Sequence, residues 1–153
     1  FILVVIAFSY SISNILYSTH KLLYRKNWVG LHFHDVSQRI RSILTENQID
    51  FRHKVASLSP LFAIESDMPV YLEFSTGPFL YRIGDLVDNN HHDLFIATSP
   101  TYLNELFDSS PPSAIIIGFE GDLDIPFANY AIRNNYMEIL IDGFDGVLYI
   151  KPD

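Results

Sequence analysis

Two aspartates in one loop are the residues of this chain best suited to holding a metal ion. Asp122 and Asp124 follow a short apolar segment and precede a predicted helix, in the stretch GFEGDLD. An Asp-x-Asp pair offers the carboxylate oxygens that Mg²⁺ and Mn²⁺ prefer. Acids near the start of a helix are also stabilised by its dipole, which is the simpler explanation. We favour the structural interpretation and keep a Mg²⁺ or Mn²⁺ site at this pair as the alternative.

The same loop lies where phosphate groups often bind in α/β proteins, between a buried strand and a helix. Gly118 and Gly121 supply the flexible backbone that such a loop needs, but Glu120 and the two aspartates bring three negative charges. The loop contains no Lys or Arg to offset them. Three acids oppose the binding of a phosphate, so the sequence argues against a nucleotide site here.

Three charged residues are the candidates for contacts with a polar substrate: Glu73, Arg82 and Glu120. The first two lie among aromatic residues in EFSTGPFLYRIGDLV, on either side of the Gly77-Pro78 turn. Each of the three is predicted beside a turn at the end of a strand, where α/β sheets usually place their ligands. The plainer interpretation of Arg82 is an ion pair with Asp85, three residues further along the same helix.

Aromatic residues close to these charges in sequence offer flat apolar faces for a substrate. They are Phe79, Tyr81 and Phe119. Large aromatic side chains more often fill a core than line a site, so we expect most of them to be buried.

Other residue types with catalytic chemistry show no recognisable pattern. The six histidines include the adjacent His91 and His92 in a polar loop, without a second ligand set at fixed spacing. No serine stands in a Gly-x-Ser-x-Gly context, which argues against an α/β-hydrolase. The chain contains no cysteine, which excludes disulfides, thiolate zinc sites and a cysteine nucleophile.

The charge balance argues against nucleic acid as a partner. The 153 residues carry ten Lys and Arg against 18 Asp and Glu, a net charge of -8. Three of those cations, Lys21, Arg25 and Lys26, lie together near the N-terminus, so the rest of the chain is more acidic still. Such a surface repels phosphate backbones. The hydrophobic content of 48% is nevertheless enough for one folded domain.

The elements that must position the candidate residues alternate along the chain. Strands are predicted over 54–59, 69–74, 94–98, 113–118, 137–141 and 147–151, and helices from Asp35 and after Pro78, Pro100 and Pro126. This alternation predicts an α/β sandwich with a mainly parallel sheet. The turn residues of 142–146 predict a β-hairpin at the C-terminal edge.

Residues 1–26 are predicted to form a transmembrane helix with a basic juxtamembrane segment. The uncharged run FILVVIAFSYSISNILYST is long enough, at 1.5 Å per helical residue, to cross a hydrocarbon core of about 30 Å. Serines dilute its second half, so a buried or amphipathic helix is the alternative. The cations that follow would place the next domain in the cytoplasm by the positive-inside rule. Residues 27–153 are predicted to form a soluble α/β domain.

Three stretches taken together resemble the C-terminal soluble domain of multi-spanning membrane glycosyltransferases. They are KVASLSPLFAIESDMPVYLEFSTGPFLYRIGDL, LFIATSPTYLNELFDSSPPSAIIIGFEGDLDIPFANYAIRNNY and the terminal hairpin. These are the dolichyl-phosphate-mannose protein mannosyltransferase-like enzymes, which use polyprenyl-phosphate sugars. The resemblance implies an extracytoplasmic domain, contrary to the charge rule, attached to the remainder of a multi-spanning membrane protein. It also implies a polyprenyl-phosphate sugar as donor.

The chain departs from this family in one respect that bears on mechanism. In such enzymes the catalytic acids lie in the first extracytoplasmic loop near the N-terminus, and no residue here can be assigned to them. We therefore predict a non-catalytic domain without a cofactor and name no catalytic residue. Two alternatives remain open: a membrane-tethered interaction module without chemistry, and a metal-dependent sugar-nucleotide-binding domain that uses Asp122 and Asp124.

Overall fold

The computed structural model describes residues 12, 15–17, 19, 23–24, 28–87 and 91–152. The chain divides into two compact units, Phe1–Asp35 and Val36–Asp153, and the site discussed below belongs to the second. The predicted transmembrane helix falls mainly outside the described residues. Within the described part, no helix combines the length and the apolar character needed to cross a bilayer. The predicted domain boundary between residues 26 and 27 stays a prediction.

From residue 28 onward, the described chain forms six α-helices and four strands. The helices are α1 (Val29–Glu46), α2 (Leu61–Glu65), α3 (Pro78–Ile83), α4 (His92–Phe95), α5 (Leu103–Ser109) and α6 (Ile125–Arg133). The strands are β1 (Val55–Ala56), β2 (Ala114–Ile117), β3 (Met137–Leu140) and β4 (Val147–Ile150). The helices predicted after Pro78, Pro100 and Pro126 are confirmed. The first helix begins at Val29 rather than Asp35, because Gly30 costs a helix only about 1 kcal/mol and does not stop it.

The four strands form one mixed sheet in the order β1-β2-β4-β3. β1 pairs with β2 in parallel, whereas β4 is antiparallel to both β2 and β3. The α/β class and the C-terminal hairpin are therefore confirmed, but the prediction of a mainly parallel sheet is wrong. The hairpin consists of β3 and β4, and β4 lies between β3 and β2. Antiparallel pairing therefore dominates in this sheet.

Two predicted strands are helical instead, and this removes the rest of the parallel sheet. Over 69–74 only Val70 bridges to β1, and Leu72–Phe74 forms a 3₁₀ turn. That turn places Tyr71 and Phe74 on one side, with ring centroids 5.8 Å apart, whereas a strand would direct them to opposite faces. Over 94–98, Leu94 and Phe95 end a short helix, and Leu94, Phe95 and Ile96 are 73%, 54% and 48% exposed. The large apolar side chains of this run therefore lack the burial that a strand of this kind requires.

The core against one face of the sheet is built from aromatic rings. Phe74, Phe107 and Phe127 lie with their ring centroids 5.1 to 6.0 Å apart, and all three are buried. The phenol of Tyr130 donates to the carbonyl of Phe107 at 3.1 Å, and that of Tyr136 donates to a carbonyl before β2 at 2.6 Å. These contacts hold α5 and α6 against the sheet, and Phe74 and Phe127 also contact Tyr81 of α3. The same core therefore places α3 beside the loop that follows β2.

Candidate functional site

The loop that follows β2 is shaped by one buried carboxylate. The backbone N–H groups of Gly118, Phe119 and Glu120 all donate to Oδ2 of Asp124, at 2.9, 3.0 and 2.9 Å. Asp124 is buried and directly precedes α6, where the positive end of the helix dipole favours a negative charge. Consecutive amides that converge in this way form an anion-binding concavity. Here the chain's own aspartate fills it.

This arrangement bears on both ligands considered for the loop. A phosphate would need the amides that Asp124 already engages, which agrees with the argument from charge against a nucleotide site. A cation at Asp122 and Asp124 would share its second ligand with three backbone donors. Among the described residues, no group of three or more His, Asp or Glu side chains is placed to hold a metal. The metal site at this pair stays a prediction.

Two of the three predicted substrate contacts lie next to each other. The Nη2 of Arg82, on α3, is 3.9 Å from Oε2 of Glu120, in the loop after β2. The arginine side chain is 60% exposed and the glutamate side chain 23% exposed. The predicted ion pair between Arg82 and Asp85 is not the contact observed, because Asp85 instead accepts a hydrogen bond from the hydroxyl of Ser99. That hydrogen bond directs the Asp85 carboxylate toward Ser99 and away from Arg82, the partner expected from the sequence.

Glu73, the third predicted contact, is not part of this pair. It lies in the 3₁₀ turn before α3, and its Oε2 is buried without a hydrogen-bond partner. Within the described part of the chain, the only ion-pair partner of Arg82 is Glu120, so Glu73 forms none with it. An unsatisfied buried carboxylate oxygen costs stability. The contacts within the fold therefore do not explain why a glutamate occupies position 73.

The predicted aromatic faces divide between surface and core. Phe119 is 37% exposed and stacks on Phe62 at a centroid distance of 4.8 Å, with Phe144 at 5.3 Å from it. Phe79 is 74% exposed on the outer side of α3. Tyr81 is fully buried, and its hydroxyl has no hydrogen-bond partner. Burial, with smaller effects from nearby aspartates, raises the pKa of Tyr81 well above the usual tyrosine value.

A shallow pocket opens beside the loop. Its volume is about 240 Å³, and Ile117, Gly121, Ile125 and Ala128 form its apolar lining next to the Asp124 carboxylate. Gly118, at the pocket edge, has φ of +121° and lies so close to Gly146 of the hairpin that an added Cβ would be 2.5 Å from its Cα. No side chain fits there, so the loop and the hairpin meet at a fixed distance.

The residues that support Phe119 are not predictable from the sequence. Phe62 lies on α2 and Phe144 in the turn before β4, so their convergence depends on the topology of the sheet. No spacing in the sequence could have revealed it. The role of Asp124 was not predictable from the helix-cap pattern either. An aspartate before a helix is expected to accept from amides of the first helical turn, whereas Asp124 accepts from the three preceding amides at 118–120 and caps no helix N–H.

Comparison of the chain with known proteins finds no matching family model, no matching curated protein and no matching solved structure.

Proposed function

We propose that this domain is a non-catalytic part of a membrane glycosyltransferase, where it contacts the hydroxyl-rich acceptor at Arg82 and Glu120. The resemblance to polyprenyl-phosphate-sugar-dependent enzymes suggests the class of protein and an extracytoplasmic position. The geometry of the charged pair suggests the kind of ligand.

The observation that carries the proposal is the separation of the two charged groups. At 3.9 Å, Nη2 of Arg82 and Oε2 of Glu120 are further apart than hydrogen-bonded atoms, which lie about 2.7–3.2 Å apart. The guanidinium therefore keeps free N–H donors and the carboxylate keeps free acceptor positions. A sugar hydroxyl both donates and accepts, so one hydroxyl can bridge the two groups.

The exposed face of Phe119 supplies the second element of a sugar site. The residue adjoins Glu120 in the chain, and its ring is held in place by Phe62 beneath it. The apolar face of a pyranose ring packs well on such a fixed aromatic surface. Because the Phe119 side chain is already held in place, it loses little conformational entropy when a sugar binds. Small-molecule sites commonly combine apolar surface with a few placed polar groups in this manner.

A titration of the ¹⁵N-labelled chain with a panel of methyl hexosides tests the proposed contact. We expect saturable shifts at the amides of Phe119 and Glu120, with dissociation constants near the millimolar range typical of a small, shallow site. Arg82→Ala and Phe119→Ala should abolish them. Arg41→Ala, which removes an arginine from another exposed ion pair, with Asp67, should leave them unchanged. If no hexoside shifts these amides, the acceptor contact is wrong.

A second candidate is the interaction module without chemistry. It is favoured by the exposed apolar side chains of Phe79, Ile83 and Leu86, which are 74%, 48% and 87% exposed and recur at helical spacing beside Arg82. Under this alternative, Phe79→Ser would abolish capture of a membrane partner, whereas Arg82→Ala would not change it. Hexosides would cause no amide shifts in the unsubstituted chain or in Arg82→Ala.

A further inference from the structure

We infer that a second pocket, at the amino-terminal end of β1 and β2, binds the phosphate group of a small organic phosphate or a lipid headgroup. The pocket has a volume of about 350 Å³, within the range of small-molecule sites. His53 precedes β1, Ser113 precedes β2, and Lys151 follows the antiparallel β4, so all three meet at one edge of the sheet. This is the edge opposite the Arg82–Glu120 pair.

Lys151 is the residue that points to an anion. Its backbone N–H donates to the carbonyl of Ser113 at 3.0 Å, which fixes the lysine on the pocket wall. Its ammonium group forms no ion pair with any residue the structure describes. The other cations from residue 28 onward do have partners: carboxylates for Arg39, Arg41, Arg52 and Arg82, an amide oxygen for Arg133, and the Tyr71 ring for Lys54. Lys151 is therefore a cation beside a pocket whose charge no described residue balances.

The acid on the pocket wall does not neutralise Lys151. Asp50 is held by Arg52, whose Nη2 lies 2.6 Å from Oδ2 and whose Nε contacts both carboxylate oxygens. The aspartate thus has its charge balanced by its own arginine. His53 adds an N–H donor to the wall in either protonation state. Among the described residues, the pocket wall therefore presents the charge of Lys151 without a carboxylate paired to it, together with hydrogen-bond donors.

The rest of the wall restricts the kind of anion. Ile49, Pro111 and Pro152 give it an apolar surface, which favours a phosphate attached to an apolar group over a free ion. The net charge of -8 opposes the approach of a polyanion such as nucleic acid, but it does not prevent one phosphate from reaching a local cation. The chemistry of the pocket therefore fits a single phosphate ester.

Two titrations of the full chain test this assignment and separate the two sources of the phosphate. The first adds inorganic phosphate to ¹⁵N-labelled protein and follows the amides of Ser113 and Lys151. The second measures binding to phosphatidylcholine vesicles with and without phosphatidic acid. Both are repeated with Lys151→Gln, and with Arg133→Gln as a matched control at another exposed cation. The side chain of Lys151 is exposed and its backbone contact does not depend on it, so Lys151→Gln should fold.

We expect saturable binding that Lys151→Gln weakens by about tenfold, equivalent to about 1.4 kcal/mol, and that Arg133→Gln leaves unchanged. A response to inorganic phosphate without binding to the phosphatidic acid vesicles supports a site for the phosphate group of a small soluble compound. A response that requires phosphatidic acid in the vesicles identifies a lipid headgroup. The assignment is overturned if neither probe binds, or if both glutamine variants behave like the unsubstituted chain.

Discussion

The carboxylate of Asp124 accepts the backbone N–H of Phe119 at 3.0 Å, and the amides on either side donate to the same oxygen. One buried oxygen therefore sets the course of the backbone that carries both Phe119 and Glu120. The position of the proposed acceptor contact depends on this internal ligand more than on the residues that touch the acceptor.

Replacement of Asp124 by Asn should lower the free energy of unfolding by about 2 kcal/mol, because a neutral amide oxygen is a weaker acceptor for three backbone donors. The matched control is Asp122→Asn, since Asp122 is exposed and two residues away. That change should alter stability by less than about 0.5 kcal/mol. Urea unfolding measures both values, and equal effects of the two substitutions would show that the Asp124 hydrogen bonds do not hold the loop.

Gln48→Gly should stabilise the domain by about 0.5 kcal/mol. Gln48 lies in the turn just after α1 and has φ of +56°, and its neighbour Ile49 donates back to the carbonyl of Leu44. The left-handed conformation costs a residue with a side chain about 1–2 kcal/mol, and the greater chain entropy of glycine offsets roughly 0.5–1 kcal/mol of that gain. Thr45→Gly, inside the helix, should instead destabilise. Thermal unfolding would contradict this if both substitutions lowered the melting temperature.

The titration of Asp50 should report its contact with Arg52. Hydrogen bonds from Arg52 lower the pKa of Asp50 from 3.8 to about 2. Because the folded-state pKa is depressed, the stabilising effect of this pair is present above pH 3.8 and is lost as pH falls through about 2. Carboxyl ¹³C resonances measured against pH should show this midpoint. In Arg52→Gln the midpoint should return toward 3.8, and an unchanged midpoint would mean that the pair does not form in solution.

Stability in alkali should depend on Tyr71. Burial raises the pKa of Tyr71 from 10.0 to about 12, and its hydroxyl donates to the carbonyl of Ser110. A raised folded-state pKa means that its contribution is complete below pH 10 and is lost as pH rises through about 12. The stability advantage over Tyr71→Phe should therefore shrink across this interval in urea unfolding. An advantage that stayed constant to pH 12 would indicate that the phenol ionises equally in both states.

The sequence predicted those elements whose pattern is local. The apolar run of β2 and the turn residues of 142–146 specify their structures within a few positions. The apolar residues of 69–74 suit either a strand or a turn, and the packing of Tyr71 on Phe74, together with backbone hydrogen bonds that close the turn, favours the 3₁₀ structure. Local pattern cannot supply that contact.

The candidate site shows the same division between local and long-range information. Arg82 and Glu120 were identified by residue type and by their places beside turns, but their proximity follows from the docking of α3 against α6 through Tyr81 and Phe127. Closeness in sequence predicts Asp85 as the partner of Arg82, but the contact observed is with Glu120. The position of Lys151 at the second pocket likewise depends on the insertion of β4 beside β2.

The measurement that tests the proposed function most directly is sugar transfer by the membrane glycosyltransferase to which we propose this domain belongs, with acceptor and donor varied separately. Arg82→Ala and Glu120→Ala should each raise the KM for acceptor by about tenfold and leave the KM for donor unchanged, with melting temperatures within a few degrees. Arg41→Ala should have no effect on either KM. Unaltered acceptor kinetics in both variants of the pair, or an equal rise in the KM for donor, would contradict an acceptor contact at Arg82 and Glu120.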